Sequence, residues 1–152
     1  KLHVGYSGRE ELMEIINRTT SGASTDVQRV LDTNTIISYQ QLVREVSISE
    51  DVQDYAVRIV LATHPEESIA TPKVKTFLRF GASPRAAQTL VLGAKVRALL
   101  AGCAEVRVDD IKDVALPALR HRCILNFEAE AEGISCDDIL TNLIETLPVS
   151  IT

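Results

Sequence analysis

Apolar residues recur with helical spacing over most of the chain. The cleanest stripe is Val52, Tyr55, Ala56, Ile59, Val60 and Thr63, an i, i+3, i+4, i+7, i+8 pattern that predicts one helix. Ser49 is a suitable N-cap for it, and Glu50 and Asp51 fall where the helix dipole favours acids. His64-Pro65 ends the pattern. Earlier, Ser7-Gly8-Arg9-Glu10 fits a capping box ahead of Leu12, Ile15 and Ile16, predicting a helix near residues 9–18. Ser38-Tyr39-Gln40-Gln41 reads as a second box, with Tyr39, Leu42, Val43 and Val46 as its stripe. From Pro84 to Ala101, Ala, Leu and Val occupy nearly every face. That pattern reads as the central buried helix of a bundle, about 27 Å long. Gly93 within it costs about 1 kcal/mol against Ala, which close helix contact would offset, and Gly102 is a natural C-cap. Asp109 is read as the cap of a helix carrying Ile111, Val114, Ala115 and Leu119, with Pro117 forcing a kink or break. Ser135-Cys136-Asp137-Asp138 opens the last helix, through Ile139, Leu140, Leu143, Ile144 and Leu147, and Pro148 stops it.

One stretch alternates instead. Leu2, Val4 and Tyr6 interleave with Lys1, His3 and Gly5, the period of a short strand. A single strand is not stable alone, so this segment is expected to pack on the bundle or pair with a neighbour through its open edge. Thr19 to Thr25 reads as a linker, and Asp26 to Leu31 as a weaker helical or extended piece. Residues 65–73 read as a loop, and Val74 to Phe80 fits either one helical turn or a short strand. Phe77 and Phe80 are expected to pack beneath the turn that follows. The fold class is therefore all-α, a helical bundle with one short N-terminal strand.

Composition narrows the function classes. With 152 residues and 45% apolar content, one domain with a real core is possible, and scarce aromatics make aliphatic packing its glue. No apolar run approaches ~20 residues, so membrane insertion is not expected. The chain opens at Lys1 without Met and is read as a piece of something longer. Cys103, Cys123 and Cys136 form no CxxC pair, which argues against a zinc site or disulfide framework and for a reducing, cytoplasmic setting. A net charge of −5 argues against a nucleic-acid surface. Charge is uneven: residues 73–122 carry 10 Lys/Arg against 4 Asp/Glu, whereas residues 123–152 carry no Lys/Arg and 6 acids. The basic middle suits a surface facing phosphates; a solvated helical surface balanced by acidic neighbours is the plainer alternative.

Within that basic segment lies Gly81-Ala82-Ser83-Pro84-Arg85. Ser83 suits an N-cap and Pro84 the first helical position, which puts Arg85 in the first turn. A cation there opposes the helix dipole, unless an anion such as phosphate comes to meet it. An ordinary surface Arg that tolerates the position is the competing reading. The run Phe80 to Ala87, followed by Ala94-Lys95, Leu99 to Gly102, Val108 to Ile111 and His121-Arg122, resembles the C-terminal lid of MoxR-family AAA+ ATPases. The resemblance implies that Arg85 is the sensor-2 arginine, which reaches nucleotide held by a preceding core. It further implies residues 1–22 as the tail of that core and a hinge, and residues 23–152 as the lid. In place of the Pro common after Tyr6 in that family stands Ser7, a change in a turn and not in the chemistry.

The resemblance implies ATP and Mg²⁺ in the full-length protein, bound mainly by the core, with none expected in this fragment. It also implies ring-shaped oligomers, partners with von Willebrand factor A-type domains, and chaperone-like remodelling or maturation of other proteins. The residues themselves offer no phosphate loop of the G-x-x-x-x-G-K-[ST] type and no apolar strand ending in paired acids, so hydrolysis by this fragment alone is not expected. No catalytic or metal-binding residue is assigned. His3, His64 and His121 have no ligand spacing with the cysteines, and Asp109-Asp110 and Asp137-Asp138 are explained by helix capping. Glu128, Glu130 and Glu132 read as a solvated face, and His121-Arg122 as ordering a helix end. The alternative function is a stand-alone helical interaction domain whose acidic C-terminal third binds a basic partner.

Overall fold

A computed structural model describes residues 1–22 and 27–150. Its hub is α5 (Pro84–Leu100), which packs against α6 (Val108–Leu119), α3 (Glu50–Leu61) and α2 (Thr33–Glu45). Ala86, Leu90, Ala94 and Ala98 recur every four residues on α5 and are fully buried. The three alanines of this row let neighbouring backbones approach. A Cβ on Gly93 would stand 3.4 Å from Val114 of α6, so close helix contact does accompany this glycine. Burial is not uniform around α5, however. Leu92 and Val96 stay substantially exposed, and Leu100 is 79% exposed. Gly102 ends the helix with φ near 70°; the Cys103 N–H bonds to the Ala98 carbonyl and the Gly102 N–H to that of Leu99, a Schellman closure.

A second layer forms from α4 (Pro72–Phe77), α7 (Phe127–Glu132) and α8 (Cys136–Thr146), with α8 also packed on α6. Ile139, Leu140 and Leu143 supply its fully buried face. The expected box at the start of α8 is present: the Ser135 hydroxyl accepts from the Asp138 N–H, and the Asp138 carboxylate accepts from that of Ser135. The open choice at 74–80 resolves into both forms in succession. Thr71 caps α4, with Pro72 at its first position, and β1 (Leu78–Phe80) follows, pairing antiparallel with β2 (Ile124–Leu125). Phe77 is half-buried against the core, but Phe80 is 54% exposed beneath the Arg79 guanidinium, so only Phe77 packs as expected.

The N-terminal strand does not form. Residues 1–8 have no regular structure, and Leu2, Val4 and Tyr6 are almost wholly exposed. Their alternation needs a sheet, and among the described residues no strand pairs with them. The Lys1 amine anchors this end to the bundle by donating to the Pro117 carbonyl at 2.6 Å, and His3 lies beside Arg120 and His121. Helix α1 (Arg9–Thr20) buries none of its residues, and it begins after Gly8, with Glu11 and not Glu10 reaching back to the N-cap N–H. It also absorbs Thr19 and Thr20 from the expected linker; residues 23–26, including Asp26, lie outside the described residues.

Other boundaries moved for local reasons. Helix α2 starts at Thr33, not Ser38, because the Asp32 carboxylate accepts from the Thr35 N–H at 2.7 Å. Its Tyr39 and Leu42 remain exposed, while Val46, just past its end, is buried. For α6 the cap is Arg107, not Asp109. Asp110, 3% exposed, accepts from the Arg107 N–H at 2.9 Å. Burial alone would raise the Asp110 pKa, but the Arg107 N–H and guanidinium outweigh it and hold the carboxyl below its ordinary range. Pro117 breaks nothing: α6 runs on to Leu119, so the proline lies in the closing turn.

Candidate functional site

The turn ahead of α5 is built against the end of α3. Gly81 lies so close to Thr63 that a Cβ would stand 2.6 Å from the Thr63 carbonyl oxygen and 2.7 Å from its Oγ1. Its φ is not positive, so space and not backbone freedom requires glycine here. Buried Thr63 then fastens the next residue: its Oγ1 accepts from the Ala82 N–H at 2.9 Å and donates to the Val60 carbonyl at 2.6 Å. His64 Nε2 lies 3.0 Å from the Ala82 carbonyl and donates to it. Ala82 is fully buried. The first turn of α5 therefore leaves a backbone fixed on both sides of Ala82.

Ser83 occupies the N-cap position with extended backbone, as its sequence position indicates, but its side chain makes no capping bond among the described residues. Pro84 takes the first helical position. Arg85 follows, exposed, and among the described residues its guanidinium has no carboxylate or other hydrogen-bond partner. Its backbone carbonyl accepts from the Thr89 hydroxyl one turn later, at 2.8 Å.

The β1–β2 pair brings a second cation to this turn. Phe80 is registered with Ile124, so the residues after β1 lie beside those before β2. Arg122 Nη2 donates to Thr89 Oγ1 at 3.1 Å, and its Nη1 donates to the Ala118 carbonyl and to His121 Nε2. His121 must then be neutral at Nε2. Its partial desolvation and the adjacent Arg122 charge hold its pKa below the ordinary imidazole range. Arg120 pairs with Asp137 at 2.9 Å, tying the end of α6 to the start of α8. Cys103, Cys123 and Cys136 are free thiols. No three His, Cys, Asp or Glu side chains among the described residues gather in a metal-binding arrangement.

Residues 72–143 match the AAA lid domain family, a span that runs from the start of α4 into α8 and includes Arg85, Thr89 and Arg122. Over 147 residues the chain is 32% identical to Chaperone MoxR1 of Mycobacterium tuberculosis, covering 97% of this chain and 39% of that protein. Residues 72–143 are thus an AAA lid domain, in a chain similar to this MoxR chaperone along nearly its whole length. The uncharacterized protein YeaC of Bacillus subtilis is 28% identical over 99% of the lid chain and 45% of its own length. A crystal structure of a candidate ATPase from Cytophaga hutchinsonii superposes with a TM-score of 0.84 at 32% identity, over 99% of the lid chain and 46% of that one. The chain thus spans under half the length of these relatives.

Sequence reasoning located Arg85 and the helix it begins but missed what holds them. By spacing Thr63 reads only as the last member of an apolar stripe, and Thr89 falls in no motif. The spacing of Thr89, four residues after Arg85 and so on the same helical face, was the available signal. Arg58, 8% exposed, was missed too. It donates to Asp54 and to the Pro148 and Val149 carbonyls, each at 2.6 Å, and holds the C-terminal segment against α3.

Proposed function

We propose that this lid presents Arg85 to the phosphates of ATP held, with Mg²⁺, by an AAA+ core that precedes it in the full-length protein. Residues 1–22 are the tail of that core and the hinge, and residues 23–152 the lid. The observation that carries the reading is an exposed guanidinium without a carboxylate partner among the described residues, set on a turn clamped to α3. The first turn of α5 supports it: Pro84 has no N–H and the Ala86 N–H bonds to the Ser83 carbonyl, but no side chain caps the Arg85 N–H, which with its own guanidinium suits an anionic oxygen. ATP supplies a phosphoryl group whose negative charge Arg85 partly offsets; Mg²⁺ falls to the core. Arg85 also couples lid position to nucleotide state, so that the assembled protein, a ring oligomer, remodels or matures other proteins. Partners with von Willebrand factor A-type domains and a cytoplasmic location complete the proposal. The 152 residues alone do not hydrolyse ATP.

Arg85→Ala in the full-length protein tests this. A charge-assisted bond to phosphate corresponds to roughly 10- to 150-fold in rate, so ATP turnover should fall by that order with the melting temperature retained. Arg85→Lys should recover only part of it, since a point charge lacks the planar fork. Unchanged turnover in Arg85→Ala refutes the assignment and favours a purely interacting domain.

A further inference from the structure

We infer that Arg122 is a positioning residue for Arg85, acting through the Thr89 hydroxyl; the inference rests on the phosphate-facing role proposed for Arg85. The connection is a continuous chain of hydrogen bonds. At one end Arg122 Nη1 closes the last turn of α6 by donating to the Ala118 carbonyl, one of the groups that a helix C-terminus leaves unpaired. At the other, Arg122 Nη2 donates to Thr89 Oγ1 at 3.1 Å, and that hydroxyl donates onward to the Arg85 carbonyl at 2.8 Å.

Each part of the chain has a reason to be specific. A hydroxyl has one proton, so a Thr89 that accepts from a cation is free to aim that proton at Arg85. The positive donor polarises the hydroxyl and strengthens the bond it makes in turn. Only a forked side chain spans both ends, because the two guanidinium nitrogens serve two different helices. The clamp by Thr63 fixes the chain up to Ala82, ahead of the helix. Arg122 fixes the first turn itself, from the side of α6, and so sets the rotation at which Arg85 leaves α5. The link also runs in reverse: a pull on Arg85 by phosphate is felt at the α6 end, next to the β2 strand and α7.

The test is steady-state ATP hydrolysis by the full-length protein carrying Thr89→Val, Thr89→Ser, Arg122→Ala and their combinations with Arg85→Ala. Thr89→Val and Arg122→Ala should each lower kcat roughly 3- to 10-fold with little change in KM for ATP, the size of one hydrogen bond's loss of alignment. Thr89→Ser, which keeps the hydroxyl, should retain wild-type turnover. The double variant Thr89→Val/Arg122→Ala should be no slower than the worse single one, and neither change should matter once Arg85 is Ala. If Arg85→Ala slows turnover while Arg122→Ala does not, or if Arg122→Ala slows the Arg85→Ala protein further, the positioning role is wrong and the Arg85 assignment stands. If Arg85→Ala itself leaves turnover unchanged, the Arg85 reading falls and the positioning role falls with it.

Discussion

Gly81→Ala probes the clamp that the candidate site depends on. The new Cβ would meet the Thr63 carbonyl oxygen at 2.6 Å, its Oγ1 at 2.7 Å and its carbonyl carbon at 2.8 Å, distances at which something must move. Two of these atoms are backbone at the end of α3, so a side-chain rotation does not relieve the clash. Overpacking of this kind costs about 1–3 kcal/mol. Separating the strands of chain also weakens the bond from the buried Ala82 N–H to Thr63 Oγ1, worth about 1 kcal/mol net. Against this, alanine reduces the entropy of the unfolded chain by about 0.4–1 kcal/mol. The net loss should be about 2–3 kcal/mol, or roughly 5–10 °C in Tm for a domain of this size. Thermal and urea unfolding followed by circular dichroism measure it, with Gly5→Ala, which has open space around it, as the control. Thr63→Ala should not rescue Gly81→Ala, because the nearest atom is a backbone oxygen. A wild-type Tm for Gly81→Ala, or rescue by Thr63→Ala, would show that the turn is not held as described.

Three further outcomes follow from packing and charge. Gly93→Ala should be neutral or raise Tm by up to about 2–3 °C: its Cβ meets Val114 at 3.4 Å, ordinary contact, while helix propensity improves by about 0.8–1 kcal/mol. A clear loss of Tm would mean that α5 and α6 pack more tightly than that. Asp110→Asn should lower stability by about 1–2 kcal/mol at neutral pH through loss of the charge-assisted bond to the Arg107 N–H. Because the folded-state pKa of Asp110 is lowered, its contribution is fully present above the unfolded value near 3.9 and disappears as pH falls through the folded value. Urea titrations of both proteins from pH 7 to 2.5 should therefore converge only in acid; a gap that closes between pH 7 and 5 contradicts the argument. Arg58→Met should cost about 1–3 kcal/mol and speed proteolysis near residues 147–150, since it strips the donors from the Pro148 and Val149 carbonyls. Unchanged cleavage there would assign the hold on this segment to Leu147, which is buried, and not to Arg58.

The sequence by itself determined the helical class, the stripe of α3, the box that opens α8, and the helix with Arg85 in its first turn. These are local matters: a periodic apolar face and a capping side chain act within a few residues of themselves. Where a competing cap lay nearby, the local reading slipped, as at Asp32 against Ser38 and Arg107 against Asp109, because several polar residues can serve and packing chooses among them. The alternation of Leu2, Val4 and Tyr6 was legible but unfulfilled, since a strand exists only with a partner. Only the tertiary structure decided why residue 81 must be glycine, that Thr63 grips Ala82, and that Arg122 reaches Thr89. Those contacts join residues 18 to 33 positions apart across different elements, and no periodicity records them. Arg85 was readable as a cation out of place on its helix; the clamp on the turn ahead of it comes from Thr63 and His64, which the helix does not contain.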